Sequence, residues 1–331
     1  MGSLLSSVVG QAIAIDTLRR ALASDHVHHA YMFEGPDGVG KELAAFGLAQ
    51  ALVCERRGPG QPDACGTCRA CARAVPRPEE RRPVHPDVVV LERGLYEPTT
   101  IGRRTPETQD LSIDQVRTLV LARAAFPPHE GRAKVFIVRR ADELSVSAAN
   151  ALLKTLEEPG DRTHFVLLSS VPDSMLPTIR SRTLRVRFGA LPDDVIATLL
   201  RDRGIAQPES LARGAGGSMA AALLASDPEA SARREEFVSR ALAALDGRSL
   251  SQALELAEET KKVTKDVLVS QLESFALALG AEARSTAAAP GRAAETAAAR
   301  HALALAALRQ LDGNASAQLA FEAMMIRMRS A

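Results

Sequence analysis

Tryptophan is missing from this chain of 331 residues, and aromatic residues together make up only 3% of it. A protein that grips unpaired bases by stacking needs more rings than that, so a single-strand binder of this kind is disfavoured. Neither charge is in excess: 41 Lys and Arg stand against 40 Asp and Glu, a formal net charge of +1. That balance argues against a strongly basic nucleic-acid binder and against an acidic tail, although a local patch can sit inside a neutral total. No apolar run approaches the ~18 residues of a membrane span. The opening MGSLLSSVVGQ has no basic stretch ahead of an apolar one, so no secretory signal is expected and the cytoplasm is the expected compartment. Cysteine is scarce too: four residues, all between positions 54 and 71. Clustered this way, they suit a reducing compartment and a metal better than disulfides.

What the chain does have is alanine and leucine, which favour helices, and enough length for two or three domains. Its organising stretch is KVFIVRRADELSVSAANALLKTLEEP, residues 134–159. Lys134 to Val138 read as a buried strand. A helix follows, with Ser147 as the expected N-cap, Ala151, Leu152, Thr155 and Leu156 as its apolar stripe, and Pro159 as its stop. In a phosphate-hydrolysing protein such a strand ends in Asp or Asp-Glu, which hold magnesium and polarise water. Here it ends in Arg139 and Arg140.

Upstream, residues 11–24 read as an amphipathic helix and His29 to Phe33 as a strand. That strand runs into Gly35-Pro36-Asp37-Gly38-Val39-Gly40-Lys41-Glu42 and then a helix over residues 43–54. Strand, glycine loop and helix in that order are the context a phosphate loop needs. Gly35, Gly38 and Gly40 let backbone N–H groups turn inward on an anion, and Lys41 can reach a β- or γ-phosphate. The bland alternative is a glycine turn with a solvated lysine. Position 42 should carry a hydroxyl for magnesium; Glu42 instead puts a carboxylate near the phosphates. Cys54, Cys65, Cys68 and Cys71 carry two overlapping C-x-x-C steps with no histidine between them. That donor set suits a closed, structural tetrahedral zinc, the alternatives being an iron–sulfur or redox centre or four unrelated thiols.

Further strands are expected at 88–91, 163–170 and 184–188, with a helix over 112–125 and a short helix or turn over 175–182. His85 reads as a loop residue and 93–110 as a mobile insertion. Strands alternating with helices imply a mainly parallel sheet covered on both faces. After Phe188 the strand signal ends. A small helical unit over residues 189–228 is expected, then an all-helical region over 229–331 with a joint at 284–293.

On GPDGVGK at 35–41, the four cysteines, HPD at 85–87, SIDQVR at 112–117, SAANALLKTLEEP at 147–159, LPTIRSR at 176–182 and, weakly, NASAQLAFEAM at 314–324, the chain resembles the AAA+ clamp-loader subunits of bacterial DNA polymerase III, most closely the delta-prime type. The resemblance implies an α/β AAA+ P-loop domain over 1–188, a helical lid over 189–228 and an all-α collar over 229–331. It assigns Gly35, Gly40 and Lys41 to the phosphate loop, the four cysteines to a structural zinc module, and Ser169 or Ser170 to the polar residue beside the phosphates. Ser181 and Arg182 match the family's Ser-Arg-Cys element, with Thr183 in place of Cys. There the arginine reaches ATP held by a neighbouring subunit; without the resemblance, Arg182 reads as a surface ion pair. The implied partners are gamma/tau motor subunits, the delta subunit, the sliding clamp and primer–template DNA. Motor subunits of the family have Asp-Glu where Arg139 and Arg140 stand and Ser or Thr where Glu42 stands. Asp142 and Glu143 fall a turn too late to substitute. The resemblance therefore implies a non-hydrolysing partner with weak or absent ATP. An active ATPase subunit and a zinc-containing DNA repair adaptor with a relict phosphate loop are the alternatives.

Overall fold

The computed structural model describes residues 2–330 apart from 78, 106–109, 131, 248–249, 264, 287–290 and 313–315. Parts of the expected insertion at 93–110, of the joint at 284–293 and of the 314–324 stretch therefore lie outside the described residues. The chain divides into two compact units, residues 1–223 and 224–331.

The first unit is built on five strands: β1 (Ala30–Glu34), β2 (Val88–Leu91), β3 (Lys134–Val138), β4 (Thr163–Ser169) and β5 (Leu184–Arg187). They lie in the order β2-β3-β4-β1-β5, and each neighbouring pair is parallel. Alternation explains why β1 to β4 read as unbroken apolar runs. Tyr31, Phe33, Val135, Ile137, Val166 and Leu168 point to one core, and Ala30, Met32, Phe136, Val138, Phe165 and Leu167 to the other. A strand with both faces covered has no solvent side to fill with polar residues. This is the parallel α/β sheet, covered by helices, that was expected above. In such a sheet, ligands bind outside the carboxyl ends of the strands, where the strand order reverses.

Helices Ala12–Ala23 and Lys41–Val53 pack on the first core, the former through Ala14, Ile15, Leu18 and Leu22. Helix Val146–Glu157 packs on the second. Its N-cap is Ser145, not Ser147: Ser145 Oγ accepts a hydrogen bond from the Ala148 amide at 3.2 Å. Starting two residues earlier moves the buried stripe to Ala148, Ala149, Leu152 and Leu156, leaving Thr155 half-buried. The expected helix at 112–125 contains a π-helical turn, Arg117–Leu121, in its middle. The described part of the 93–110 stretch is pinned rather than loose: Tyr96 donates to the Val90 carbonyl at 2.8 Å, and Ile101 is buried. Short helices Asp193–Asp202, Pro208–Gly214 and Met219–Ser226 follow β5.

The second unit is helical: Pro228–Asp246, Ser251–Glu259, Lys265–Thr286, Arg292–Asp312 and Ala317–Ser330. Its core joins Phe237 and Phe321, 5.7 Å apart between ring centres, with Leu272, Phe275, Met324 and Met325. No helix among the described residues is long and apolar enough to cross a membrane.

Candidate functional site

At the carboxyl end of β1 the chain turns through Gly35 to Gly40 into helix Lys41–Val53. Gly35, Gly38 and Gly40 all have positive φ, at 141°, 73° and 101°. Gly38 is required twice over. Its backbone is left-handed, and a Cβ there would run into Ser218 and the Ala220 amide. The close approach lets the Met219 amide donate to the Gly38 carbonyl at 3.1 Å. Lys41 is only 7% exposed. Its Nζ donates back to the Gly35 and Pro36 carbonyls at 2.5 and 2.6 Å and pairs with Asp37 at 3.3 Å. Burial pushes its pKa below the usual lysine value, against the opposing pull of Asp37 and Asp142. The loop borders a cavity of 380 Å³ that is also lined by Ser169, Ser170 and Ala220. Ser169 is buried and its Oγ accepts from the Val171 amide, whereas Ser170 is exposed at the rim.

The two positions that depart from a magnesium site meet in this cavity. Arg139, at the end of β3, forms an ion pair with Glu42 in the first turn of the phosphate-loop helix. It pairs as well with Glu92, just past β2, at 2.7 Å, and donates to the Arg81 carbonyl at 2.9 Å. Glu92 in turn takes Arg81 at 2.6 Å. Glu42 was expected to put a carboxylate near the phosphates; the fold gives that carboxylate a cationic partner. Arg140, in left-handed conformation at φ 46°, contacts Glu143 at 3.2 Å, and Glu143 also takes Arg93 at 3.3 Å. Asp142 and Glu143 sit in a 3₁₀ turn, Ala141–Glu143, and neither lines the cavity.

Arg182 lies at the other end of the sheet. It precedes β5 and shares a hollow with His28, His29, Glu157 and Ser181, beside the amino end of β1. β1 has five residues, so at ~3.3 Å each the two ends are separated by roughly 13 Å or more. Arg182 therefore cannot serve the phosphate loop of its own chain. Its Nε donates to Glu157 at 2.7 Å, Nη2 pairs with the same carboxylate, and Nη1 donates to the Thr178 carbonyl at 2.9 Å and to Ser181 Oγ at 3.3 Å. The surface ion pair read from sequence thus exists. The Arg182 side chain nonetheless stays about a third exposed.

The four cysteine sulfurs lie within 4.8 Å of one another. Tetrahedral zinc with ~2.3 Å bonds places its sulfurs ~3.8 Å apart, so the donor set fits. Cys65 and Cys71 sulfurs are 3.9 Å apart. The Cys65, Cys68 and Cys71 amides each point at a cysteine sulfur, at 3.3–3.4 Å, which favours thiolate. The Thr67 amide, against burial, brings the Cys65 thiol down to about 6, while burial pushes the Cys71 thiol up. A closed four-sulfur site would leave a bound metal no open position, so such a metal would be structural. Beside it, the HPD segment is a tie rather than a ligand. Asp87 accepts from the His129 and Glu130 amides at 2.6 and 2.7 Å. His85 is buried with Nε2 3.3 Å from Glu130, and Glu130 also holds Arg73 at 2.7 Å.

Residues 10–192, more than half of the chain, match the sequence model of the family described as "DNA polymerase III, delta subunit". The chain belongs to that family. Its match covers the phosphate loop, the cysteines, Arg139 and Arg182, and the resemblance to clamp-loader subunits is borne out. The DNA polymerase III subunit delta' of Pseudomonas aeruginosa is 38% identical over 159 residues, 47% of this chain and 42% of that protein. The DNA polymerase III subunit tau of Escherichia coli is 32% identical over 262 residues, 76% of this chain and 37% of that protein. A solved structure of a DNA polymerase III gamma subunit-related protein from Thermotoga maritima aligns with 95% of this chain and 98% of its own at 17% identity, TM-score 0.44. The chain spans 30% to 42% of the length of the curated relatives it matches first.

Three residues of these sites were missed in the sequence. Glu92 carried a faint signal, a lone acid directly after the apolar run Val88 to Leu91. Asp37 was legible only as loop filler. Glu157, in the last turn of its helix, reaches Arg182 through the fold, with no motif to announce the pairing.

Proposed function

We propose that the chain is a delta-prime-like, non-hydrolysing subunit of the DNA polymerase III clamp loader. It would lend Arg182 to ATP bound by an adjacent gamma/tau motor subunit while the ring, with the delta subunit, loads the sliding clamp at primer–template DNA. The division into an AAA+ core over 1–188, a lid over 189–228 and a collar over 229–331 belongs to this reading, the collar holding the ring together. One observation carries it: where a hydrolysing site presents a carboxylate and a hydroxyl to magnesium, this one presents Arg139 bound to Glu42. A cation fixed at that place repels the metal that bridges β- and γ-oxygens. The position of Arg182 supports the second half, since only another chain's phosphate can come within its reach. A guanidinium supplied in trans stabilises the transferring phosphoryl group and contributes ~10³ or more in rate. The likeness to tau subunits favours an active motor as the second reading; Glu42, Arg139 and Arg140 oppose it.

The test is reconstitution with motor subunits, comparing ATPase rates for wild type and Arg182→Ala. The expected result is a fall of ~10²-fold or more at the site Arg182 faces, with assembly unchanged. Equal rates would remove the trans-arginine role. Magnesium-dependent hydrolysis by the isolated chain, abolished in Lys41→Ala, would establish the motor reading instead.

A further inference from the structure

The phosphate-loop cavity is electrically closed by its own side chains. Three cations, Lys41, Arg139 and Arg140, and three carboxylates, Asp37, Glu42 and Glu92, line it. The cations best placed for a phosphate are already engaged. Lys41 is turned into the loop carbonyls and Asp37. Arg139 is held between Glu42 and Glu92, with 13% of its side chain exposed. These partners differ in one respect. Glu92, just past β2, is shared with Arg81 and only 19% exposed. Glu42 stands in the first turn of the helix, where the loop amides converge, and is half exposed at 51%. It thus occupies the place from which Arg139 would meet an anion seated in the loop, and its own charge faces that anion.

We infer that Glu42 is the residue that bars phosphate from this pocket: it neutralises Arg139, and removing its charge alone turns the site into a metal-independent site for a polyphosphate. This deepens the non-hydrolysing reading above and rests on it. Without Glu42, the lining cations outnumber the carboxylates three to two. Arg139 keeps Glu92 through one nitrogen and frees the edge that faces the loop. A guanidinium presents paired N–H groups that suit phosphate oxygens directly, so no bridging metal is needed. Removing one like charge about 4 Å from a phosphate oxygen, and releasing one opposite charge, exceeds 1.4 kcal/mol at the effective dielectric of a protein surface, hence at least about tenfold in affinity.

The probes are inorganic pyrophosphate and ATP, each titrated calorimetrically into wild type, Glu42→Gln and Glu42→Gln/Arg139→Ala, once with no added divalent metal and once with magnesium, with thermal midpoints recorded for all three. Glutamine keeps the size of glutamate, and the double variant shows whether Arg139 is the released group. The expected result is a metal-free affinity at least about tenfold higher in Glu42→Gln than in wild type, lost again in the double variant. Three outcomes overturn the inference: wild type binding as tightly as Glu42→Gln, a gain that needs magnesium, or a gain that survives loss of Arg139. None of these touches the non-hydrolysing reading, which fails only if wild type turns over ATP with magnesium.

Discussion

At the scale of single residues, the chain's unusual side chains make sense in pairs. Arg139 looks anomalous at the end of a buried strand and Glu42 at the start of a phosphate-loop helix until each is seen holding the other. Arg182 and Glu157 form a second pair with a different character. Both side chains are partly exposed, 33% and 47%, and such pairs contribute only ~0–1 kcal/mol. Glu157→Ala should therefore lower the unfolding free energy measured in urea by less than about 1 kcal/mol, so the pair holds Arg182 only weakly. A loss of several kcal/mol would mean that Arg182 is locked. Capping is equally specific: Ser145→Ala should cost ~1 kcal/mol because the Ala148 amide loses its acceptor, while Ser147→Ala stays within a few tenths. Urea denaturation of the two variants side by side decides it, and the reverse order would return the helix start to residue 147.

At the scale of elements, the cysteine module and helix Val146–Glu157 stabilise by different means. The module is an excursion between helix Lys41–Val53 and β2, tied by the Gln50 side-chain amide to the Cys71 carbonyl at 3.4 Å and by Arg132 to the Cys54 carbonyl. A bound structural zinc contributes on the order of 10 kcal/mol to the order of such a segment. Elemental analysis should find one zinc per chain, and Cys68→Ser should lose it and expose the remaining thiols to a thiol reagent. Iron in its place would reassign the module as a cluster site. The helix, by contrast, is held by burial. Leu152 is fully buried against the second core, and Leu152→Ala should cost ~2–5 kcal/mol in chemical denaturation. A smaller loss would mean that the site collapses around the gap.

At the scale of the molecule, the first unit hides histidines that acid will reach. His29, His85 and His164 all have pKa values lowered from the ordinary 6.5, in each case chiefly by burial. His28 opposes protonation of His29, and Glu130 and Asp87 partly favour that of His85. An unfolded histidine takes up its proton near 6.5 and a folded one only below that, so between the two values the unfolded chain holds more protons. Stability is then fully present above 6.5 and falls as the pH drops through it. Glu130, its carboxyl held below 4.5 mainly by the hydrogen bond from Arg73, adds a further loss under more acidic conditions. Both tyrosines, Tyr31 and Tyr96, lie in this unit and tryptophan is absent. Tyrosine fluorescence therefore reports its unfolding alone. The urea midpoint followed this way should decline from about pH 7 to pH 5, and a flat profile would remove burial of these imidazoles as a source of stability.

Sequence by itself determined the elements whose signal is local. Apolar runs marked β1 to β4, glycines followed by lysine marked the left-handed loop after β1, and the cysteine spacing marked the four-sulfur cluster, because strand period, left-handed backbone and close spacing are all set by near neighbours. Even there it misplaced a helix start by two residues, since Ser145 and Ser147 are equally good caps until packing chooses the buried face. Only the tertiary structure decided what the charged residues do. Glu42 and Arg139 are 97 positions apart. They meet because parallel strands bring the carboxyl ends of β1, β2 and β3 to one edge of the sheet, and the same ladder sends Arg182 to the opposite edge.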